Sequence, residues 1–221
     1  MKKKNKIFCI GFHKTATTSI YEALKFLGYK TLHGDPRNAD HVGDEGRTLL
    51  ENHILKGDYN LPTFDLYDAF TDNPYFSIWN EIVKIYPDAK YILTVRDDEK
   101  WIKSCVNFYR GRRVRPMREW MFGENSDPSK NEESRWTWLN KYKDHNQKVI
   151  AHFAKLNKEL LIFDAEKGHG WLELCEFLNI SQPTIKFPHR NSNNIIKRSF
   201  LWSLQKLREI AEQNRELLTK K

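Results

Sequence analysis

Ile7-Phe8-Cys9-Ile10-Gly11-Phe12-His13-Lys14-Thr15-Ala16-Thr17-Thr18-Ser19 is the stretch on which the fold turns. Its first four residues form a short unbroken apolar run, the pattern of a strand buried on both faces of a parallel sheet. Gly11 ends that run. Beyond it, Ile20, Ala23, Leu24 and Leu27 fall at helical spacing, and Gly28 stands where a helix-ending glycine belongs. Strand, hydroxyl-rich turn and helix are therefore predicted in succession over 6–27. A helix N-terminus presents unpaired N–H groups and a partial positive charge. His13, Lys14, Thr15, Ala16, Thr17, Thr18 and Ser19 surround it with backbone amides, hydroxyls and one ammonium, which is the chemistry of a phosphate cradle. The nucleoside-triphosphate loop closes differently, on Gly-Lys-Ser/Thr at the helix start. Here the lysine comes early and the hydroxyls follow it.

The same alternation continues outward. A strand is predicted at 29–33 and a short helix at 47–56. A second helix is predicted at 74–86, with Pro74 in its first turn and Ile78, Trp79, Ile82, Val83 and Tyr86 on one stripe. The strand 89–95 leads through Asp97 or Asp98, as N-cap, into a helix reaching about residue 109. A last core strand is predicted at 160–163, with a helix behind it at 170–178. This pattern predicts an α/β fold, a three-layer parallel sheet with helices on both faces. Ligands of such sheets bind at the carboxyl ends of the strands. Residues 110–133 are irregular and rich in Arg and Trp, and a long helix follows at 133–156. Together, 110–158 is predicted to be a helical lid or insertion, and 195–221 a charged amphipathic C-terminal helix. The 221 residues suit a single domain over 1–221.

Two further groups fall at predicted strand ends. Arg96 leaves the strand 89–95, and Ser104 follows eight residues later, two turns into the next helix. Both can face one ligand, and arginine suits bidentate phosphate binding. Asp68-Ala69-Phe70-Thr71-Asp72-Asn73-Pro74 precedes the helix that leads into the Arg96 strand. Asp72 is placed there to cap that helix. His33, at the end of the second predicted strand, and Asp65 and Asp68 are further titratable groups near these strand ends.

Taken together, Lys14-Thr15-Ala16-Thr17-Thr18 resembles the 5′-phosphosulfate loop of sulfotransferases that use 3′-phosphoadenosine-5′-phosphosulfate (PAPS), whose usual form is Lys-[Ser/Thr]-Gly-Thr-[Thr/Ser]. Val95-Arg96-Asp97, with Ser104 eight residues beyond Arg96, resembles the 3′-phosphate site of the same family. The resemblance spans about 6–109, with weaker support from 160–178. It implies a P-loop-like sulfotransferase architecture and transfer of a sulfuryl group from PAPS, without a metal, to a hydroxyl or amine. It assigns the loop 13–19 with Arg96 and Ser104 to PAPS, and Lys14 with Asp72 or His33 to catalysis; Arg190, in the stretch 187–191 beyond the resemblance, is expected to close over the nucleotide or shape the acceptor pocket. Asp72 stands where cytosolic members carry an imidazole in a Thr-His-x-Pro stretch. Two departures matter. Ala16 replaces glycine, so the turn must either keep negative φ there or carry strain. Ser19 stands where a tryptophan often stacks on adenine, so adenine must be held otherwise.

Composition excludes other classes. Hydrophobic residues make up 39% of the chain, enough for a packed core. No apolar run approaches the ~18 residues of a membrane span, and the start is too short in apolar residues for a signal peptide, so a cytoplasmic protein is expected. The three cysteines are far apart, with neither a disulfide pattern nor metal-ligand spacing. The formal charge of +8 and the cluster Arg110, Arg112, Arg113, Arg115 and Arg118 suit an anionic small ligand. A nucleic-acid-binding module would use the same cluster but leaves both strand-end motifs unexplained, so nucleic acid is not expected as a partner. A small-molecule kinase lacks its Gly-Lys-Ser/Thr. A non-catalytic nucleotide binder and a homodimer are left open. The acceptor, a small molecule or glycan, is not specified.

Overall fold

Five parallel strands, β1 (Ile7–Cys9), β2 (Thr31–His33), β3 (Ala69–Thr71), β4 (Lys90–Val95) and β5 (Leu161–Asp164), form one sheet in the order β2-β3-β1-β4-β5. The computed structural model of the chain describes residues 5–34 and 49–189. Arg190 and the predicted helix 195–221 lie outside the described residues. The chain divides into two units, Met1–Pro188 and His189–Lys221, and the fold described is that of the first.

Three of the five strands are only three residues long, so burial and not length makes them strands. Successive side chains point to opposite faces. Phe8 and Ile10 enter one core with Phe70, Tyr91, Leu93 and Phe153. Ile7 and Cys9 enter another with Ile20, Leu24, Ile92 and Phe163. The sheet is covered on both faces, as predicted. On one side lies α1 (Thr17–Phe26) with α7 (Trp171–Leu178). On the other lie α2 (Leu49–Leu55), α3 (Trp79–Ile85) and part of α6 (Glu132–Lys155). A third cluster joins Phe12 to Trp101 of α4 (Asp98–Tyr109), to Phe122 of α5 (Pro116–Phe122), and to Trp138 and Tyr142 of α6. Trp101 and Tyr142 stack at 4.2 Å, and Trp138 and Phe122 at 3.9 Å. The segment 110–158 thus contains α5, a 3-10 turn at Gly123–Asn125 and α6, and α6 buries Trp138, Tyr142, His145, Val149 and Phe153.

The structure departs from the predicted elements in three places, the first being α5, a helix led by Pro116 within the stretch read as irregular. The helix expected at 74–86 begins only at Trp79. Residues 74–78 form turns instead, in which the Ser77 N–H and hydroxyl both donate to the Pro74 carbonyl. Tyr75, Phe76 and Ile78 are all buried, which a single helical stripe cannot achieve for neighbouring residues. Strand β3 was not anticipated. Ala69-Phe70-Thr71 is too short to show a period, yet it lies between β1 and β2 with all three residues buried.

Gly11 is required by a close approach. A Cβ there would lie 2.1 Å from Thr94 Oγ1 and 2.3 Å from the Thr94 carbonyl oxygen. Gly11→Ala is therefore expected to destabilise the fold by about 3 kcal/mol, a Tm loss of roughly 6–12 °C for a chain of this size. Differential scanning calorimetry of the variant measures this. An unchanged Tm would mean that the turn is not packed against β4 as described.

Candidate active site

The turn between β1 and α1 lies at the carboxyl edge of the sheet, beside the ends of β2, β3 and β4. Lys14 and Ala16 both adopt left-handed backbone, with φ of 69° and 73°. The structure therefore takes the strained alternative at Ala16, at a cost of about 1–2 kcal/mol for a residue with a Cβ. Ala16 is the N-cap of α1 and offers no side-chain cap. Among the described residues, no backbone or side-chain acceptor takes the N–H groups of Lys14, Thr15, Ala16, Thr17 or Thr18. Five successive amides at a helix N-terminus are open to an anion, and no acidic residue occupies the first turn.

The side chains of this turn take roles that the sequence did not separate. Thr15 is buried. Its hydroxyl donates to the Phe12 carbonyl and meets Thr94 Oγ1 at 2.7 Å, pinning the turn to β4. The His13 ring is buried against Phe76, Trp101, Tyr109 and Trp138. Burial lowers its pKa to about 4, so the ring is neutral. Its backbone carbonyl accepts from Trp101 Nε1 at 2.9 Å. Ser19 is buried in α1. Thr17 Oγ1 donates to Asp72 Oδ2 at 2.9 Å, and Thr18 Oγ1 lies 3.3 Å from His33 Nε2.

The two rival bases meet. His33 ends β2 and Asp72 follows β3, its neighbour in the sheet, so strand pairing brings them side by side. His33 Nε2 lies 3.5 Å from Asp72 Oδ2, and His33 Nδ1 lies 2.7 Å from Thr71 Oγ1. With Nδ1 engaged by Thr71, Nε2 faces Asp72 and Thr18. Asp72 itself has φ of 73°, and its Oδ1 accepts from the Asn73 N–H at 2.7 Å. Left-handed backbone is best tolerated by short polar side chains of this kind. Asp65 lies in a 3-10 turn at Pro62–Asp65, and Asp68 Oδ2 accepts the Lys30 N–H at 3.0 Å, so both are engaged away from this pair.

Lys14 and Arg96 complete the site. The Lys14 ammonium lies 4.3 Å from the centre of the Phe108 ring on α4. Partial burial holds its pKa below the ordinary lysine value, the Arg96 and Arg112 charges add to that, and the Asp72 carboxylate opposes it. Arg96 Nη1 donates to the Lys14 carbonyl at 3.3 Å, and Nε donates to Glu166 Oε1 at 3.0 Å. Glu166 also accepts from Lys100 Nζ at 3.2 Å. Ser104 follows Lys100 by one helical turn on the same face of α4. Tyr142 of α6 brackets Arg96, its hydroxyl bonding the Arg96 N–H at 2.8 Å and the Arg96 carbonyl at 2.9 Å.

The sequence pattern of a family described as "Sulfotransferase domain" matches residues 6–196. The chain belongs to the sulfotransferase family. A protein of Aspergillus versicolor described as "Ava biosynthesis cluster protein M" is 27% identical to it over 218 residues, covering 83% of this chain and 80% of that protein. The crystal structure of a sulfotransferase from Alicyclobacillus acidocaldarius covers 91% of each chain, with 14% identity and a TM-score of 0.46.

In this sulfotransferase several site residues escaped sequence reasoning. Thr94 carried a signal, as a polar residue inside the apolar run of β4. Thr71 sat within the quoted stretch but in an unrecognised strand. Glu166, Phe108 and Tyr142 gave none, because the bonds of Glu166 to Arg96 and Lys100 span 70 and 66 residues, that of Tyr142 to Arg96 spans 46, and the contact of Phe108 with Lys14 also joins distant parts of the chain. Among the described residues no group of three or more His, Cys, Asp or Glu is placed to hold a metal ion. No helix there is long and apolar enough to cross a membrane.

Proposed function

We propose that this sulfotransferase moves the sulfuryl group of PAPS to a hydroxyl or amine of its acceptor. The observation that carries this reading is the bond from Arg96 to the Lys14 carbonyl. It joins, across 82 residues of sequence, two anion-binding groups suited to two phosphates of one nucleotide. The open amides of residues 14–18 and the Lys14 ammonium suit the 5′-phosphosulfate. Two N–H groups of the Arg96 guanidinium are committed to Lys14 and Glu166. The others, with the Ser104 hydroxyl, suit the 3′-phosphate.

In the reaction the acceptor oxygen or nitrogen attacks sulfur, and the bond from sulfur to the bridging oxygen breaks. The electron pair leaves on the 5′-phosphate of adenosine 3′,5′-bisphosphate. Lys14 and the helix amides are placed to stabilise that growing charge. The acceptor proton goes to the Asp72–His33 pair. Thr17 orients Asp72, and Thr71 orients His33.

The test is calorimetry on two nucleotides. Arg96→Ala is expected to weaken adenosine 3′,5′-bisphosphate by roughly 1.5–3 kcal/mol, one to two decades in Kd. Adenosine 5′-monophosphate should hardly change. Equal weakening of both, or an unaltered protein that does not prefer the 3′-phosphate, would overturn the assignment. Greater stabilisation by magnesium-ATP than by the bisphosphate would favour the kinase.

A further inference from the structure

Arg118 on α5 is a buried cation without an anion. Its residue is 8% exposed, and no carboxylate among the described residues lies within ion-pair distance of it. Nη2 donates to the Arg113 carbonyl, while Nη1 is buried with no hydrogen-bond partner among the described residues. The guanidinium lies 4.3 Å from the centre of the Tyr109 ring, which supplies part of what water would. Asp127 attracts Arg118 from farther away, but its Oδ1 already accepts the Ser129 N–H and hydroxyl. Burying an unpaired charge is costly, and such charges are ordinarily matched by a counter-ion.

A second observation points the same way. Arg112 stacks on the Phe108 ring at 4.0 Å, the ring that Lys14 also approaches at 4.3 Å. Phe108 and Tyr109 meet edge to face at 4.9 Å. Lys14, Arg112 and Arg118 are thus gathered around two adjoining rings, and none of them forms an ion pair among the described residues. The Tyr109 ring abuts His13 at 5.4 Å, so this group borders the phosphate turn. The nucleotide has donors enough in the turn amides, Lys14, Arg96 and Ser104.

We propose that Arg118, assisted by Arg112, receives an anionic group carried by the acceptor: a carboxylate, phosphate or sulfate ester. The inference rests on the reading of the Lys14 turn as the PAPS site, and it narrows the acceptor from any alcohol or amine to an anionic one.

Inorganic phosphate serves as the probe. It is titrated by calorimetry into the full chain saturated with adenosine 3′,5′-bisphosphate. Phosphate is expected to bind this complex, and Arg118→Met to weaken it by about tenfold or more. Arg118→Lys should restore part of the loss, and Arg135→Met, an exposed substitution on α6, should change nothing. The exposed Arg112→Met should weaken phosphate severalfold, which keeps the test decisive if Arg118→Met fails to fold. No phosphate binding to the complex would overturn the proposal. So would loss of phosphate binding in Lys14→Ala but not in Arg118→Met, which places the anion at the sulfuryl position. So would a parallel loss of bisphosphate affinity in Arg118→Met, which assigns the arginine to the nucleotide. If bisphosphate itself fails to bind, the PAPS reading falls, whereas phosphate binding to the free protein that depends on Arg118 still upholds an anion site there.

Discussion

Asp72→Asn is expected to lower kcat by about a hundredfold or more, the usual scale for a general base, while leaving the Kd for adenosine 3′,5′-bisphosphate unchanged. The amide keeps the shape of the carboxylate and one accepting oxygen for the Asn73 N–H, and the Thr17 hydroxyl, now facing an NH2, can turn to accept from it. What it loses is the capacity to take the acceptor proton. His33 lies 3.5 Å from Asp72, so the proton received by either can be shared by both. His33→Asn should therefore cost less than Asp72→Asn, and the double variant less than the product of the two, because they act as one unit. Steady-state rates on an acceptor found by screening, with bisphosphate calorimetry as the binding control, measure this. A collapsed Tm in Asp72→Asn with a normal rate per folded molecule would reduce Asp72 to a structural residue of the turn after β3. An unaffected rate would move the role to His33.

Lys14→Ala should lower kcat by about a hundred- to a thousandfold, the loss seen when a donor to a developing oxyanion is removed. Bisphosphate affinity should fall far less, by about tenfold or under. The asymmetry follows from where charge appears. In the proposed PAPS complex the amides of residues 14–18 and Arg96 would hold the phosphates in the ground state, whereas charge on the bridging oxygen grows only as the S–O bond breaks. Lys14 is held over Phe108 at 4.3 Å, so its ammonium is placed before substrate arrives. The left-handed backbone at position 14 makes the alanine variant strained, and Lys14→Gly separates that effect from loss of charge. A normal kcat in both variants would show that Lys14 is only a loop residue, and equal losses in kcat and binding would show uniform binding with no preference for the transition state.

Most of the architecture was legible in the chain order. Apolar runs at 7–10 and 91–95 read as buried strands because each leads into an amphipathic helix, and of the two expected caps Asp97 is the one used, accepting the Lys100 N–H at 3.0 Å, with Asp98 the first residue of the helix. The loop chemistry was legible for the same reason, since a hydroxyl-rich turn at a strand end points its amides outward whatever surrounds it. Local sequence could not show β3, because three residues carry no period and become a strand only by lying between β1 and β2. Nor could it show that α3 begins at Trp79, because the helical stripe from Ile78 extends no further back than the turns that bury Tyr75 and Phe76.

The site divides in the same way. Sequence determined which residues carry charge and hydroxyls at the strand ends, and hence that Lys14, Arg96, Ser104, Asp72 and His33 are the candidates. Tertiary structure decided what they do to one another. Strand order made partners of Asp72 and His33, which spacing could treat only as rivals. Packing against Thr94 turned Thr15 inward, and burial among four aromatic rings made His13 neutral. Pairing of β4 with β5 set Glu166 against Arg96. Hydrogen bonds and desolvation act over a few ångströms, and distances of that order between residues far apart in the chain exist only after the sheet has formed.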